Sequence, residues 1–164
     1  DKKFIVIGNK NSITYKEFFP LLKNNQVWLG FNSPAEFKTP DGTTNKILSR
    51  WFTNLDIIKR HEFIDLIEKY SPEKYPKYDN YDAINVDKVL DIPVNYDGVM
   101  GVPITFMDKY NTEQFEILGA TESEGKGFSN GLWDEKSNVS QPLVNGIRKY
   151  KRLFIQKNKT KELK

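Results

Sequence analysis

The chain has 164 residues, 38% hydrophobic, 29% charged and 13% aromatic, with a formal net charge of +3; this is the composition of a globular domain with a real core, and it excludes a disordered or fibrous chain. The absence of cysteine excludes disulfides and thiolate metal sites and fits a reducing compartment, and a single histidine, His61, excludes a histidine-based metal cluster. No run approaches the roughly 20 apolar residues of a membrane span and no signal peptide is visible, so no membrane partner is expected and the expected setting is the cytoplasm.

The charge is unevenly spread. Residues 61–100 carry the acids Glu62, Asp65, Glu68, Glu73, Asp79, Asp82, Asp87, Asp91 and Asp97 against four lysines, Lys69, Lys74, Lys77 and Lys88. Residues 146–164 carry Arg148, Lys149, Lys151, Arg152, Lys157, Lys159, Lys161 and Lys164 against Glu162 alone. A basic end segment suits a phosphate backbone, and equally suits a solvated tail that keeps the protein soluble.

Taken in order, the elements begin with a strand at about residues 3–7. The continuous apolar run Phe4-Ile5-Val6-Ile7 reads as a strand buried on both faces, which needs a neighbour on each side, either from later in the chain or from upstream of Asp1. Gly8 and Asn9 end it. The capping-box spacing of Thr14 and Glu17 predicts a short helix, which Pro20 should kink. Gln26–Phe31 reads as the next strand, completing one strand-helix-strand crossover. Residues 32–49 read as a loop and Arg50–Thr53 as a short strand. A helix is expected from about 56 to 70, with Ile57, Phe63, Ile64, Leu66 and Ile67 on its apolar face; an outward-turning strand over Trp51–Ile58 competes with it. Residues 71–82 form an irregular, tyrosine-pinned segment. Ala83–Val86 reads as a strand. Val99–Phe106 is broken by Gly101 and Pro103 and reads as an edge strand or bend. Gln114–Gly119 is a further strand and 121–139 a loop. Asn145-Gly146 marks a hairpin turn, with a return strand over about 147–156. The expectation is a single domain over 1–164 with a frayed basic tail at 157–164.

No self-contained active site emerges from the motifs. There is no Gly-rich phosphate loop, no HExxH and no nucleophile elbow. His61, beside Glu62 on a predicted helix, reads as a surface or packing residue. The stretch DNYDAINVD (79–87) alternates carboxylates but lacks the glycine and the final glutamate of a calcium loop. Pairs such as Asp56 and Glu62 could exchange protons, yet nothing singles them out.

Several long blocks, in one order, carry a resemblance. KKFIVIGNKNSITYKEFFPLLKNNQVWLGFN, WFTNLDIIKRHE, YPKYDNYDAINVDKV, DGVMGVPITFMDKYNTEQFEILG and the closing LVNGIRKYKRLFIQ resemble the C-terminal part of EcoRI-type adenine-specific DNA methyltransferases. Loops 33–48 and 121–140 match poorly. The resemblance implies an α/β fold: the C-terminal portion of a Rossmann-like methyltransferase, with a mixed sheet and added β-hairpins. It implies S-adenosylmethionine as cofactor, duplex DNA as partner, and methyl transfer to the exocyclic N6 of adenine within a restriction-modification system. The family's Asn/Asp-Pro-Pro-Phe motif lies just upstream of the segment resembling residues 2–9, and no such motif occurs in this sequence.

That absence bears directly on turnover. The adenine must leave the base stack to meet the methyl donor, and its amino nitrogen is a poor nucleophile until polar acceptors hold its hydrogens, which is the motif's task. This stretch alone is therefore expected to be inactive, with the missing N-terminal half of the same enzyme as its partner. The resemblance places Asn9 and Asn11, at the carboxyl end of strand one, toward cofactor or base. Trp51 or Phe52 could offer an aromatic face to a flipped adenine, with Asn54 beside them. These two aromatics are adjacent in a strand and point to opposite faces, so at most one reaches a base. Lys59 and Arg60 are expected on phosphate, and Arg148, Lys149, Lys151 and Arg152 along the DNA backbone. Two alternatives stay open: a non-catalytic DNA-binding module, and an unrelated α/β domain with a solubilising tail.

Overall fold

A computed structural model describes residues 2–34, 36–122 and 125–159. The chain is α/β with a mixed sheet and little helix, and it divides into two compact units, Asp1–His61 and Glu62–Lys164.

The first unit contains β1 (Ile5–Asn9), α1 (Phe19–Lys23), β2 (Trp28–Leu29), β3 (Glu36–Lys38), β4 (Thr44–Lys46) and β5 (Ser49–Thr53). A three-stranded sheet has the order β1-β5-β2. β5 is antiparallel to both neighbours, with Val6 and Leu29 each opposite Phe52. β1 and β2 therefore run in the same direction with β5 threaded between them, so the crossover exists but its strands do not touch. Phe52 closes the covered face: the Phe18 ring meets it edge-on at 4.7 Å, and Gly8 lies so close that an added Cβ would sit 3.0 Å from the ring. Ile13, Phe19, Leu22, Val27 and Leu29 complete this core.

Several expectations are corrected here. β1 is not a central strand buried on both faces: among the described residues it pairs with β5 alone, and Ile5, Val6 and Ile7 are 58%, 48% and 43% exposed. Thr14 caps nothing. Asn9 instead caps a 3-10 turn over Lys10–Thr14. Pro20 lies in the first turn of α1, where its missing N–H costs nothing, so it begins the helix rather than kinking it. The loop at 32–49 contains the hairpin β3–β4, whose tip is held by Asp41 accepting from Thr39 and Thr43.

In the second unit β6 (Ile84–Asn85), β7 (Met100–Pro103), β8 (Phe115–Ala120) and β11 (Arg152–Lys157) form a mixed sheet in the order β6-β7-β11-β8; β9 (Leu143–Val144) and β10 (Ile147–Arg148) form a separate hairpin. β6 is parallel to β7, and β11 is antiparallel to both β7 and β8. Leu153, Phe154 and Ile155 of β11 are fully buried. Tyr78, Tyr81, Ala83 and Val144 pack around Phe154. The tyrosine-pinned segment is irregular as expected, and its phenols find acceptors: Tyr75 donates to Asp91 O (2.7 Å), Tyr78 to Asn85 Oδ1 (2.9 Å) and Tyr81 to Ser140 O.

Within Val99–Phe106 the edge strand is corrected to an interior one, since β7 has a partner on each side, while the chain does bend after Pro103 into a 3-10 helix over Ile104–Lys109. Its glycine serves a close approach: the Tyr78 ring lies against Gly101, and the hydroxyl that Asn85 accepts from also lies 3.2 Å from Gly101 O. Pro103 occupies the last position, opposite Arg152. The helix at 56–70 does not form. Ile58–His61 is a short 3-10 turn, and beyond it the backbone is satisfied from elsewhere: Gln114 bonds both N and O of Ile64, and Asn95 accepts from Tyr70 N. The turn at Asn145-Gly146 forms with positive φ at both residues, as a two-residue hairpin turn requires. The expected return strand is split into β10 and β11. Fraying does not begin at 157: Lys157 ends β11 and pairs with Asp97 at 3.1 Å, and Asn158 bonds Gln114 and Thr112. Residues 160–164 of the expected tail lie outside the described residues.

Gly101→Ala would drive a methyl into the buried Tyr78 ring. It is expected to destabilise the protein by about 1–3 kcal/mol, measured as a lower urea midpoint at unchanged m; an unchanged midpoint would refute the tight packing of β7 on Tyr78.

Candidate nucleic-acid interface

In an α/β sheet, ligands sit at the carboxyl ends of the parallel strands. That edge of the first unit holds a cleft of about 340 Å³. Lys10 lines it directly after β1, Ser33 and Pro34 shortly after β2, and Lys46, Ile47, Leu48, Ser49 and Arg50 at the entry to β5. The walls are tied together: Lys10 N donates to Leu48 O (2.9 Å), Ser49 Oγ to Pro34 O (2.6 Å), and Arg50 to Ser33 Oγ. Among the described residues three cations and no carboxylate line the cleft, and Glu36 reaches Lys46 only at 4.0 Å across an exposed hairpin. The exposed apolar side chains Ile47 and Leu48 stand beside them. Such a surface binds an anion with an apolar neighbour, as a nucleotide presents. It does not fit the sulfonium cation of S-adenosylmethionine.

The residues singled out in the sequence divide sharply. Asn9 Oδ1 accepts from Asn11 N (2.8 Å), so it serves as a turn cap beside the cleft, while the side chain of Asn11 is exposed. Trp51 and Phe52 do face opposite ways: Phe52 is buried against Phe18 and closed to a base, and Trp51 is half-buried opposite Ile7. Asn54 extends the β1–β5 pairing with its amide, accepting from Phe4 N and donating to Lys2 O, both at 2.9 Å. Lys59 Nζ approaches Gly30 O at 3.5 Å. Arg60 lies flat over the Trp28 ring at 3.3 Å and also bonds Asn25 and Asp56, so its guanidinium is committed to holding its own unit. His61 and Asp56 form an exposed pair at 2.7 Å, and the hydrogen bond from His61 lowers the Asp56 pKa.

On the last hairpin Arg148 is exposed and Lys149 and Lys151 are half-buried. Arg152, expected along a DNA backbone, is 6% exposed and turned inward. Asp87 faces Lys149 at 3.3 Å and Arg152 at 3.5 Å, and accepts from Asn85 at 3.0 Å. Burial works against its ionisation, but the bonds from Asn85 and Lys149 and the charges of Lys149 and Arg152 outweigh it and lower its pKa. Asp79, in the stretch that lacks the marks of a calcium loop, accepts from Asn145 N (3.1 Å) and Gly146 N (2.7 Å) at the hairpin turn. Among the described residues no group of three potential ligands could hold a metal, and no helix is long and apolar enough to cross a membrane.

The sequence does not single out Lys10 or Lys46, and Arg50 is read there only as the start of a short strand. A signal existed for Lys10, which follows the strand exit at Asn9. None existed for Lys46, which reaches the cleft only because β3–β4 folds back.

The chain belongs to the family of adenine-specific methyltransferases described as EcoRI, matched over residues 1–159. It is 46% identical to the type II methyltransferase M.EcoRI of Escherichia coli, an alignment covering 97% of this chain and 51% of that protein. It is 29% identical to M.MgeORF184P of Mycoplasma genitalium, over 96% of this chain and 57% of that one. With M.MpnI of Mycoplasma pneumoniae the identity is 33%, over 71% and 44%. The chain thus spans about half the length of the relatives it matches. No solved structure matches it.

A folded pKa held below its ordinary value means that Asp87 stabilises the protein above the carboxylate range, about 3.9 for a free aspartate, and loses that effect as the pH falls through its native value. Asp87→Asn is therefore expected to cost about 1 kcal/mol at neutral pH, as befits a pair partly open to water. The gap to wild type should close in acid, and urea titrations at the two pH values read it. A gap that persists unchanged in acid would refute the ionic role.

Proposed function

We propose that this chain is the C-terminal part of an S-adenosylmethionine-dependent DNA adenine-N6 methyltransferase of a restriction-modification system, acting on duplex DNA in the cytoplasm. The observation that carries the reading is the cationic cleft at the carboxyl ends of β1 and β2, in a chain whose family is adenine-specific methyltransferases. Lys10, Lys46 and Arg50 hold a phosphate of the DNA, and Trp51 and Asn11 face the flipped base or the cofactor. The donor pocket and the acceptors for the adenine amino group belong to the upstream half. A strand of that half pairs with the open edge of β1, in a Rossmann-like sheet, and covers Ile5, Val6 and Ile7. These three exposed apolar residues on one strand are the support for that contact.

Two measurements test the reading. Binding of a mixed-sequence duplex should weaken steeply from low to moderate salt, and Lys10→Ala should lower the slope of log affinity against log salt by about one. Binding that ignores salt, or an unchanged slope, counts against the cleft. Incubated alone with labelled S-adenosylmethionine and duplex DNA, the chain should transfer no methyl group; detectable N6-methyladenine would overturn the division of labour between the halves.

A further inference from the structure

The strongest feature outside the cleft is the hairpin β9–β10 and the three residues after it. Tyr150 is 90% exposed and Ile147 67%, and among the described residues the Tyr150 ring has no ring or hydrogen-bond partner. A tyrosine ring normally buries most of its apolar body. Here the backbone around it is held firmly while the ring stands in water. Asp79 clamps the turn, Lys149 N donates to Pro142 O (2.8 Å), and Arg152 donates to Tyr150 O (3.1 Å). Buried Asn80 bonds Leu143 N and the carbonyls of Val139 and Gln141, fixing the other strand. Exposure alternates over 148–151: Arg148 and Tyr150 are exposed, Lys149 and Lys151 half-buried. That is the pattern of an extended chain presenting Arg148 and Tyr150 on one side.

We propose that this hairpin enters a groove of duplex DNA and that Tyr150, with Arg148 beside it, makes the base contacts that set sequence preference. The proposal rests on the DNA reading above and deepens it. A two-stranded ribbon fits the major groove of B-DNA. The ring supplies a contact that does not depend on salt, and the guanidinium supplies a forked donor for base edges or phosphate. The positive charge of the surrounding Arg148, Lys149 and Lys151 complements the DNA, with Asp87 facing Lys149 and Asp79 at the turn as the carboxylates set against it.

The test uses the full chain and short duplexes with a randomised core, selected by binding at low salt and sequenced, with a mixed-sequence duplex as reference. Tyr150→Ala should lose about 5- to 100-fold in affinity for the selected duplexes, keep the wild-type salt slope, and flatten the recovered sequence preference. Tyr150→Phe should retain most of the affinity. Arg148→Ala should lose affinity and reduce the salt slope by up to about one. If Tyr150→Ala selects and binds as wild type does, the proposal falls while the DNA reading stands. A lowered urea midpoint in Tyr150→Ala would mean that the ring packs within the protein, and it also overturns the proposal. If wild type recovers no duplex at all, the DNA reading itself fails.

Discussion

In each unit the strand threaded last lies in the middle of the sheet. β5 enters between β1 and β2, and β11 between β7 and β8, each antiparallel to both neighbours. Each supplies the residues that close the core, Phe52 in one unit and Leu153, Phe154 and Ile155 in the other. Until that strand arrives, the two it separates have no hydrogen-bonded partner between them. The folded state of each unit therefore depends on a long-range pairing that no local segment can stabilise alone.

The same threading makes the cleft. Because β5 runs against β1 and β2, its beginning meets their ends, and three segments distant in sequence converge on one edge: Lys10, Ser33-Pro34 and Lys46–Arg50. Their cations gather with no carboxylate among the described residues that line the cleft. Holding like charges together in this way costs self-repulsion, and an anionic ligand relieves it. The hydrogen bonds tying Lys10 to Leu48 and Ser49 to Pro34 are backbone and hydroxyl bonds that leave the charged ends outside. The fold thus fixes the positions of the charges, and Arg50 is held there by its bond to Ser33.

Short apolar runs were legible. β1, β5 and β8 fall within a residue or two of the expected spans, the hairpin turn at Asn145-Gly146 lies where its residue types demand, and Trp51 and Phe52 separate as strand geometry requires. What was not legible depended on partners far away. The helical pattern at 56–70 loses to side-chain amides of Gln114 and Asn95, which satisfy an extended backbone that a periodicity argument assumes will satisfy itself. Gly101 argued for an edge strand, yet it is the residue that lets an interior strand accept a tyrosine ring. Among the candidate site residues, Phe52, Asn54, Arg60 and Arg152 had the right chemistry for DNA and were spent on structure instead, which only their neighbours reveal.

The charge asymmetry of the sequence has a resolution that neither a DNA-binding end nor a solvated tail anticipates. Two carboxylates of the acidic region, Asp87 and Asp97, pair with the basic end inside the second unit, and a third, Asp79, holds its backbone. Asp79 holds the turn before Ile147, Asp87 faces Lys149 and Arg152, and Asp97 meets Lys157. Arg152 lies in a buried strand and Asp87 is its carboxylate partner, so part of this pairing is a condition for placing β11 in the core. A count of positive residues therefore overstates the positive surface. Among the described residues of this run Arg148 and Lys159 are the exposed cations, and Arg148 stands next to a tyrosine the fold has not covered. A segment whose charges are mostly tied down, with its few outward side chains carried on a clamped hairpin, is organised for a defined contact and not for diffuse attraction.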